Sequence, residues 1–177
     1  MDQRVRIMLE PLPAVTTDFI NVPVGGPFSR ELAAYLPALN VISVSPTPRM
    51  NAAALRRVIF HELGHAIVLN HVSPMALCNW AKVSSPWRGR SLPCESVSSH
   101  YDPALKTPHP LSSAPASYLD SAADIPSRYA LESIHEYFAE SFSIWLENGE
   151  AADRIAGLLA GRYTSNPVAM AGAHGTP

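Results

Sequence analysis

The sequence has no apolar run long enough to cross a bilayer, no surplus of basic charge and only two cysteines, and each shortage removes a class of protein. A spanning helix needs about 20 consecutive apolar residues, so a membrane-embedded chain is not expected. From Met1 to Glu10 charged and apolar side chains alternate where a secretory signal would carry an unbroken apolar core. No cleavable signal is read there, although a mature fragment, or an effector exported by a dedicated apparatus, would look the same. Thirteen Lys plus Arg against fifteen Asp plus Glu give a net charge of -2. That leaves no electrostatic footprint for a nucleic-acid backbone or an anionic membrane, and neither is expected as a partner. Cys78 and Cys94 lie in a loop-like stretch and allow one disulfide or two free thiols; their spacing alone does not choose.

Charged residues are sparse too, at 16%, while 47% of the chain is hydrophobic. A solvated, disordered chain is thereby excluded and a packed core is possible. The 177 residues suit one domain, since a chain of this size buries roughly two thirds of its unfolded surface. One monomeric domain over residues 1–163 is expected, with 164–177 as a fraying tail. No internal repeat is present.

Alternation at Val5, Ile7 and Leu9, and a β-branched stretch from Val15 to Val24, predict two strands. Ser29 is a cap for a short helix from Arg30 to Leu36, stopped by Pro37. Val41 to Val44 reads as a strand, and the prolines at 46 and 48 suit a sheet edge, which would offer it for pairing with an extended substrate. Asn51 then caps a helix running to about Leu69, with Leu55, Val58, Ile59, Ala66, Val68 and Leu69 as its buried side. From Ser73 to about Pro126 the chain is rich in Pro and Ser, with little periodicity and scattered aromatics at Trp80, Trp87, Tyr101 and Tyr118. It reads as a functional loop or a flexible insertion. A second helix spans Ser127 to Glu147, with Ile134, Phe138, Phe142, Trp145 and Leu146 on its apolar face and Asn148-Gly149 as its stop. A last short helix is expected from Glu150 to about Leu159.

The first strong helix carries HELGH. Histidines four apart project from one face about one turn apart, so His61 and His65 can share one tetrahedral ion. Glu62 sits about 100° around the helix from His61, where it is poorly placed as a ligand but can reach a water on the metal's open position as general base. The flanks are apolar as well: Val58, Ile59 and Phe60 before the motif, Leu63 and Gly64 inside it, Ala66 and Ile67 after it. Catalytic zinc needs a third protein ligand, and the second helix offers candidates. Tyr129, Glu136 and Glu140 are spaced by seven and four, so on a continuous helix they fall within about 40° of one another.

HELGH followed by Tyr-x6-Glu-x3-Glu, within the string HEYFAESF, resembles the catalytic domain of anthrax lethal factor and the Pro-Pro endopeptidases, which are gluzincins. The resemblance covers about a fifth of the chain and leaves residues 73–126 unmatched. It implies a zinc endopeptidase in which His61, His65 and Glu136 hold Zn2+, Glu62 is the base, Tyr129 donates to the oxyanion, and Glu140 orients a zinc-bound imidazole. It also implies a peptide or protein substrate, and a bacterial toxin or secreted effector delivered to a target cell. Neither a nucleotide nor an organic cofactor is implied. The fold class expected is α+β: a small N-terminal sheet packed on the HELGH helix, with the second helix closing the site.

Two alternatives bear on the same residues. His71 falls six residues after His65, where metzincins carry a third histidine, but Val68 stands at the glycine that lets their helix break, and a β-branched residue resists positive φ. A zinc-holding domain without catalysis would be expected to lack the base, and Glu62 is present. His135 points about 100° away from Glu136 and reads as a surface or core histidine. A second zinc site from Cys78, Cys94, His100 and His109 fits no tight spacing.

Overall fold

The computed structural model describes residues 6–8, 33–44, 51–84, 86–114, 125–148, 152–161 and 163. The chain is α+β and mostly helical. Strands β1 (Arg6–Met8), β2 (Ala33–Leu36) and β3 (Val41–Val44) precede helices α1 (Ala52–His71), α2 (Pro74–Val83), α3 (Pro103–Lys106), α4 (Ile134–Asn148) and α5 (Ala152–Leu159). Single 3-10 turns at Cys94–Ser96, Pro110–Ser113 and Tyr129–Leu131 lie between the later helices. The strand expected from Val15 to Val24 and the tail 164–177 lie outside the described residues.

The sheet runs in the order β1-β3-β2, with β1 parallel to β3 and β2 antiparallel to it in the register Tyr35↔Ile42. This corrects two expectations. The segment expected as a helix up to Leu36 is a strand over Ala33–Leu36, because pairing with β3 and burial of the Tyr35 ring against Ile42, Val44 and Ala66 outweigh the helix propensity of Ala-Ala-Tyr-Leu. Val41–Val44 is the central strand and not an edge: all four residues are buried, and the prolines at 46 and 48 fall beyond its last residue, where they do not limit pairing. The turn joining β2 and β3 is closed by Asn40 at φ 51, a left-handed conformation that asparagine tolerates, and Tyr35 donates its hydroxyl proton to Asn40 Oδ1 at 2.8 Å.

Helix α1 lies between two apolar clusters. Asn51 caps it by accepting from Ala54 N at 2.9 Å, worth about 1 kcal/mol. The sheet residues Tyr35, Ile42 and Val44 pack on Ala66, with Leu55, Val58 and Ile59 half-buried around them. The larger cluster joins Val68 to Trp80, Leu105, Ile134, Phe138, Phe142 and Ile155. Helix α4 is the principal partner of α1. At their crossing Gly64 meets Ala139 so closely that a Cβ at position 64 would lie 2.9 Å from the Ala139 Cα. Position 64 therefore has to be glycine for the two backbones to approach as they do.

Helix α4 begins at Ile134 and not at Ser127. Ser133 accepts from Glu136 N at 3.0 Å, and this N-terminal cap sets the start. Tyr129 consequently belongs to a separate 3-10 turn, and the continuous-helix stripe expected through Tyr129, Glu136 and Glu140 holds only for the two glutamates.

The stretch read as a functional loop or a flexible insertion contains α2, opened by Ser73, which accepts from Ala76 N, and by Pro74 in its first turn. Leu77, Cys78, Trp80 and Ala81 are all but fully buried, so the helix shows little polar-apolar alternation to read. Residues 115–124 of the stretch lie outside the described residues. Cys78 on α2 and Cys94 on the first 3-10 turn form a disulfide over a sequence separation of 16. Closing a loop of that length contributes about 3 kcal/mol in the chain-entropy picture. Intact mass after denaturing alkylation should therefore find no free thiol, and Cys78→Ala/Cys94→Ala should melt roughly 6–12 °C lower than the parent. Two alkylated thiols, or an unchanged melting temperature, would count against a structural bridge.

Candidate metal centre

Helix α1 presents His61 and His65 one turn apart, and the first turn of α4 brings Glu136 against both. His61 Nε2 lies 3.1 Å from Glu136 Oε2 and 3.1 Å from His65 Nε2, and His65 Nε2 lies 3.2 Å from Glu136 Oε2. Three donor atoms thus form a nearly equilateral triangle. Metal–ligand bonds of about 2.0–2.1 Å at tetrahedral angles place neighbouring ligand atoms about 3.3 Å apart, so the triangle fits one face of a tetrahedral ion. His61, His65 and Glu136 are the group of metal-ligating residues that can hold a metal ion among the described residues. The side chains of the three are only 11%, 16% and 12% exposed, which leaves the site largely walled off from bulk water.

The electrostatics favour a cation there. Glu140, one turn beyond Glu136 on α4, puts Oε1 3.0 Å from His61 Nδ1, a close ion-pair contact whose alignment falls short of a good hydrogen bond. A proton held on Nδ1 leaves Nε2 with its lone pair facing the Glu136 carboxylate, an arrangement that is repulsive without a positive charge between them. Burial pulls the His61 pKa down, but Glu136 and Glu140 outweigh it and raise the pKa to about 10. Burial pushes Glu136 up, yet His65 and His61 hold it well below the usual carboxylate range. Glu140 is likewise pushed up by burial and brought below its ordinary value by His61, Ser127 and Arg57.

Two further residues border this cluster. Glu62 is 9% exposed and its Oε2 accepts from the Tyr35 backbone N–H at 2.8 Å, which ties it to strand β2. The Tyr129 ring lies 5.6 Å from that of His61. Burial raises the Tyr129 pKa, and the charges of Glu136, Glu62 and Glu140 raise it further, so the phenol keeps its proton and can donate.

The structure therefore brings together His61, His65, Glu136, Glu140, Glu62 and Tyr129, and among the described residues it leaves His71, His100, His109 and His135 outside the triangle. His71 is exposed at the end of α1, which runs unbroken through a buried Val68. His135, half-buried, packs edge-on against His100, and its pKa falls to about 3, first by burial and then by the nearby His65 and His100. His100 donates from Nε2 to Val72 O at 2.9 Å. His109 packs on Trp87 and accepts from Leu111 N, and both cysteines are bridged, so the second site considered from the sequence is not assembled. Sequence reasoning missed the supports of the cluster. Ser133-x-x-Glu136 has the form of a capping box that marks the true start of α4, whereas the contacts of Ser127 with Glu140 and of Tyr35 N with Glu62 left no signal.

Comparison with protein-family models, with curated proteins and with solved structures finds no match to this chain. Its chemistry follows from donor type and geometry. Elemental analysis of purified variants should rank the residues: Glu136→Ala loses bound divalent metal, Glu140→Ala binds it roughly ten- to a hundredfold more weakly, and His71→Ala retains full occupancy. Loss of metal from His71→Ala with retention in Glu136→Ala would reverse the assignment.

Proposed function

We propose that this protein is a zinc-dependent endopeptidase of the gluzincin type, with His61, His65 and Glu136 as the zinc ligands. The observation that carries this reading is the triangle of two imidazole nitrogens and one carboxylate oxygen, bordered by a second carboxylate on α1 and a protonated phenol. Two histidines and a glutamate make a donor set used by catalytic zinc, which keeps one position open for water or substrate. When bound, the ion supplies Lewis acidity that brings water's ionisation toward neutral pH. Glu62 takes the proton of the attacking water and passes it to the leaving amine, so that one carboxylate serves both halves of peptide hydrolysis. Tyr129 donates its hydroxyl to the oxygen of the scissile carbonyl as negative charge develops there. Glu140 holds the His61 ring through Nδ1 and fixes which nitrogen faces the centre.

The metzincin alternative has no support from the placement of His71, and a zinc-holding domain without catalysis has none from the presence of Glu62 beside the cluster. With β3 in the middle of the sheet, β2 is the strand on the side of Glu62 that suits pairing with an extended peptide. The Cys78–Cys94 bridge fits a protease working outside a reducing cytosol, as a secreted or delivered effector would.

Cleavage of a peptide library by the zinc-loaded protein tests the proposal. Glu62→Ala should keep zinc and lose hydrolysis, and Tyr129→Phe should lower kcat on the order of a hundredfold with little change in KM. Near-parental turnover by Glu62→Ala would sink the mechanism, and an unchanged kcat for Tyr129→Phe would remove the oxyanion role.

A further inference from the structure

Glu62, Ala66 and Asn70 follow one another at four-residue steps along α1 and share one side of the helix. All three meet Tyr35. The Tyr35 N–H donates to Glu62 Oε2 at 2.8 Å, its ring packs with Ala66, and its hydroxyl accepts from Asn70 Nδ2 at 2.6 Å. The same Asn70 amide group donates to Ala66 O at 2.8 Å, so both of its hydrogens are committed. The Tyr35 hydroxyl passes its own proton to Asn40 in the β2-β3 turn. Tyr35 is thus gripped at its backbone and at its phenol by a single face of α1, and it is 3% exposed.

We infer that Tyr35 and Asn70 are positioning residues for Glu62, a role that rests on the reading of Glu62 as general base. A free glutamate samples several rotamers, whereas a base has to stand within hydrogen-bond reach of the proton it removes. The bond from Tyr35 N commits Oε2 and leaves Oε1 as the oxygen that takes the proton. The bond from Asn70 fixes where along α1 the Tyr35 peptide sits, and hence where Oε2 is held. Neither residue touches the three metal ligands in this network, so the metal should not depend on them.

Tyr35→Phe keeps the ring and removes the hydroxyl, and Asn70→Ala changes a residue exposed near the end of α1. Both should hold the parental amount of zinc and stay folded, melting only a few degrees below the parent. On the best peptide found for the parent, kcat should fall about tenfold with KM little changed, as for other partners that orient a reacting group through one bond. Independently of hydrolysis, amide hydrogen exchange read by NMR at residue 35 should speed up on the order of tenfold in both variants and in Glu62→Ala, while the Ile42 and Val44 amides keep their protection. Parental exchange at residue 35, or parental kcat in both variants, would overturn the positioning role while leaving the base assignment intact. A zinc-loaded parent that cleaves no peptide would overturn the base assignment itself, and the positioning role of Tyr35 and Asn70 would fall with it.

Discussion

The structure depends on one buried encounter: the Glu136 carboxylate against the ring nitrogens of His61 and His65. A carboxylate taken out of water loses several kcal/mol of hydration, and only close positive charge and hydrogen bonds make its anionic state tolerable. Those partners come from a different helix, His61 lying 75 positions earlier in the chain. Their meeting therefore constrains the whole α1-α4 pair. Ser133 has to start α4 so that its third residue faces α1, and Glu140 has to follow one turn later to engage the far side of His61. The apolar cluster of Trp80, Ile134, Phe138 and Phe142 holds the two helices in that relation, so packing provides the rigidity that charge alone would not.

What can be read from the sequence is what depends on neighbours within a few residues. His61, Glu62 and His65 are related by helical spacing, and so are Glu136 and Glu140, and the structure places both sets on one cluster. The caps of α1 and α2 rest on the local chemistry of Asn51 and Ser73, although the second is hidden by its Pro- and Ser-rich surroundings. The strand at Ala33–Leu36 is not legible because its identity is decided by β3 across the turn and by Ala66 on α1, and nothing in Ala-Ala-Tyr-Leu announces either. Tyr129 is the instructive case. Its spacing puts it near the histidines only along a continuous helix that does not exist, and it reaches them from a 3-10 turn whose path is set by the packing of Ala130 and Leu131.

The two sides of α1 do different work. On one side a three-stranded sheet reaches Glu62 through the Tyr35 peptide N–H. On the other, the segment after α1 folds into a buried helix stapled by Cys78–Cys94 and lies beneath α4 through Trp80. Within the stretch that reads as a loop or an insertion, α2 is part of the support on which α4 rests.

The near contact of Gly64 with Ala139 couples two positions that no local pattern connects. A relative of this chain could exchange sheet residues other than Tyr35, or lengthen its loops, and still keep the six side chains in place. It could not enlarge residue 64 without shifting Ala139, and Ala139 sits between Glu136 and Glu140 on the same helix. The closest obstacle is the Ala139 backbone itself, which no side chain at 139 can remove, so a distant relative would be recognised by a glycine inside the first motif and a small residue just before the second glutamate of the other.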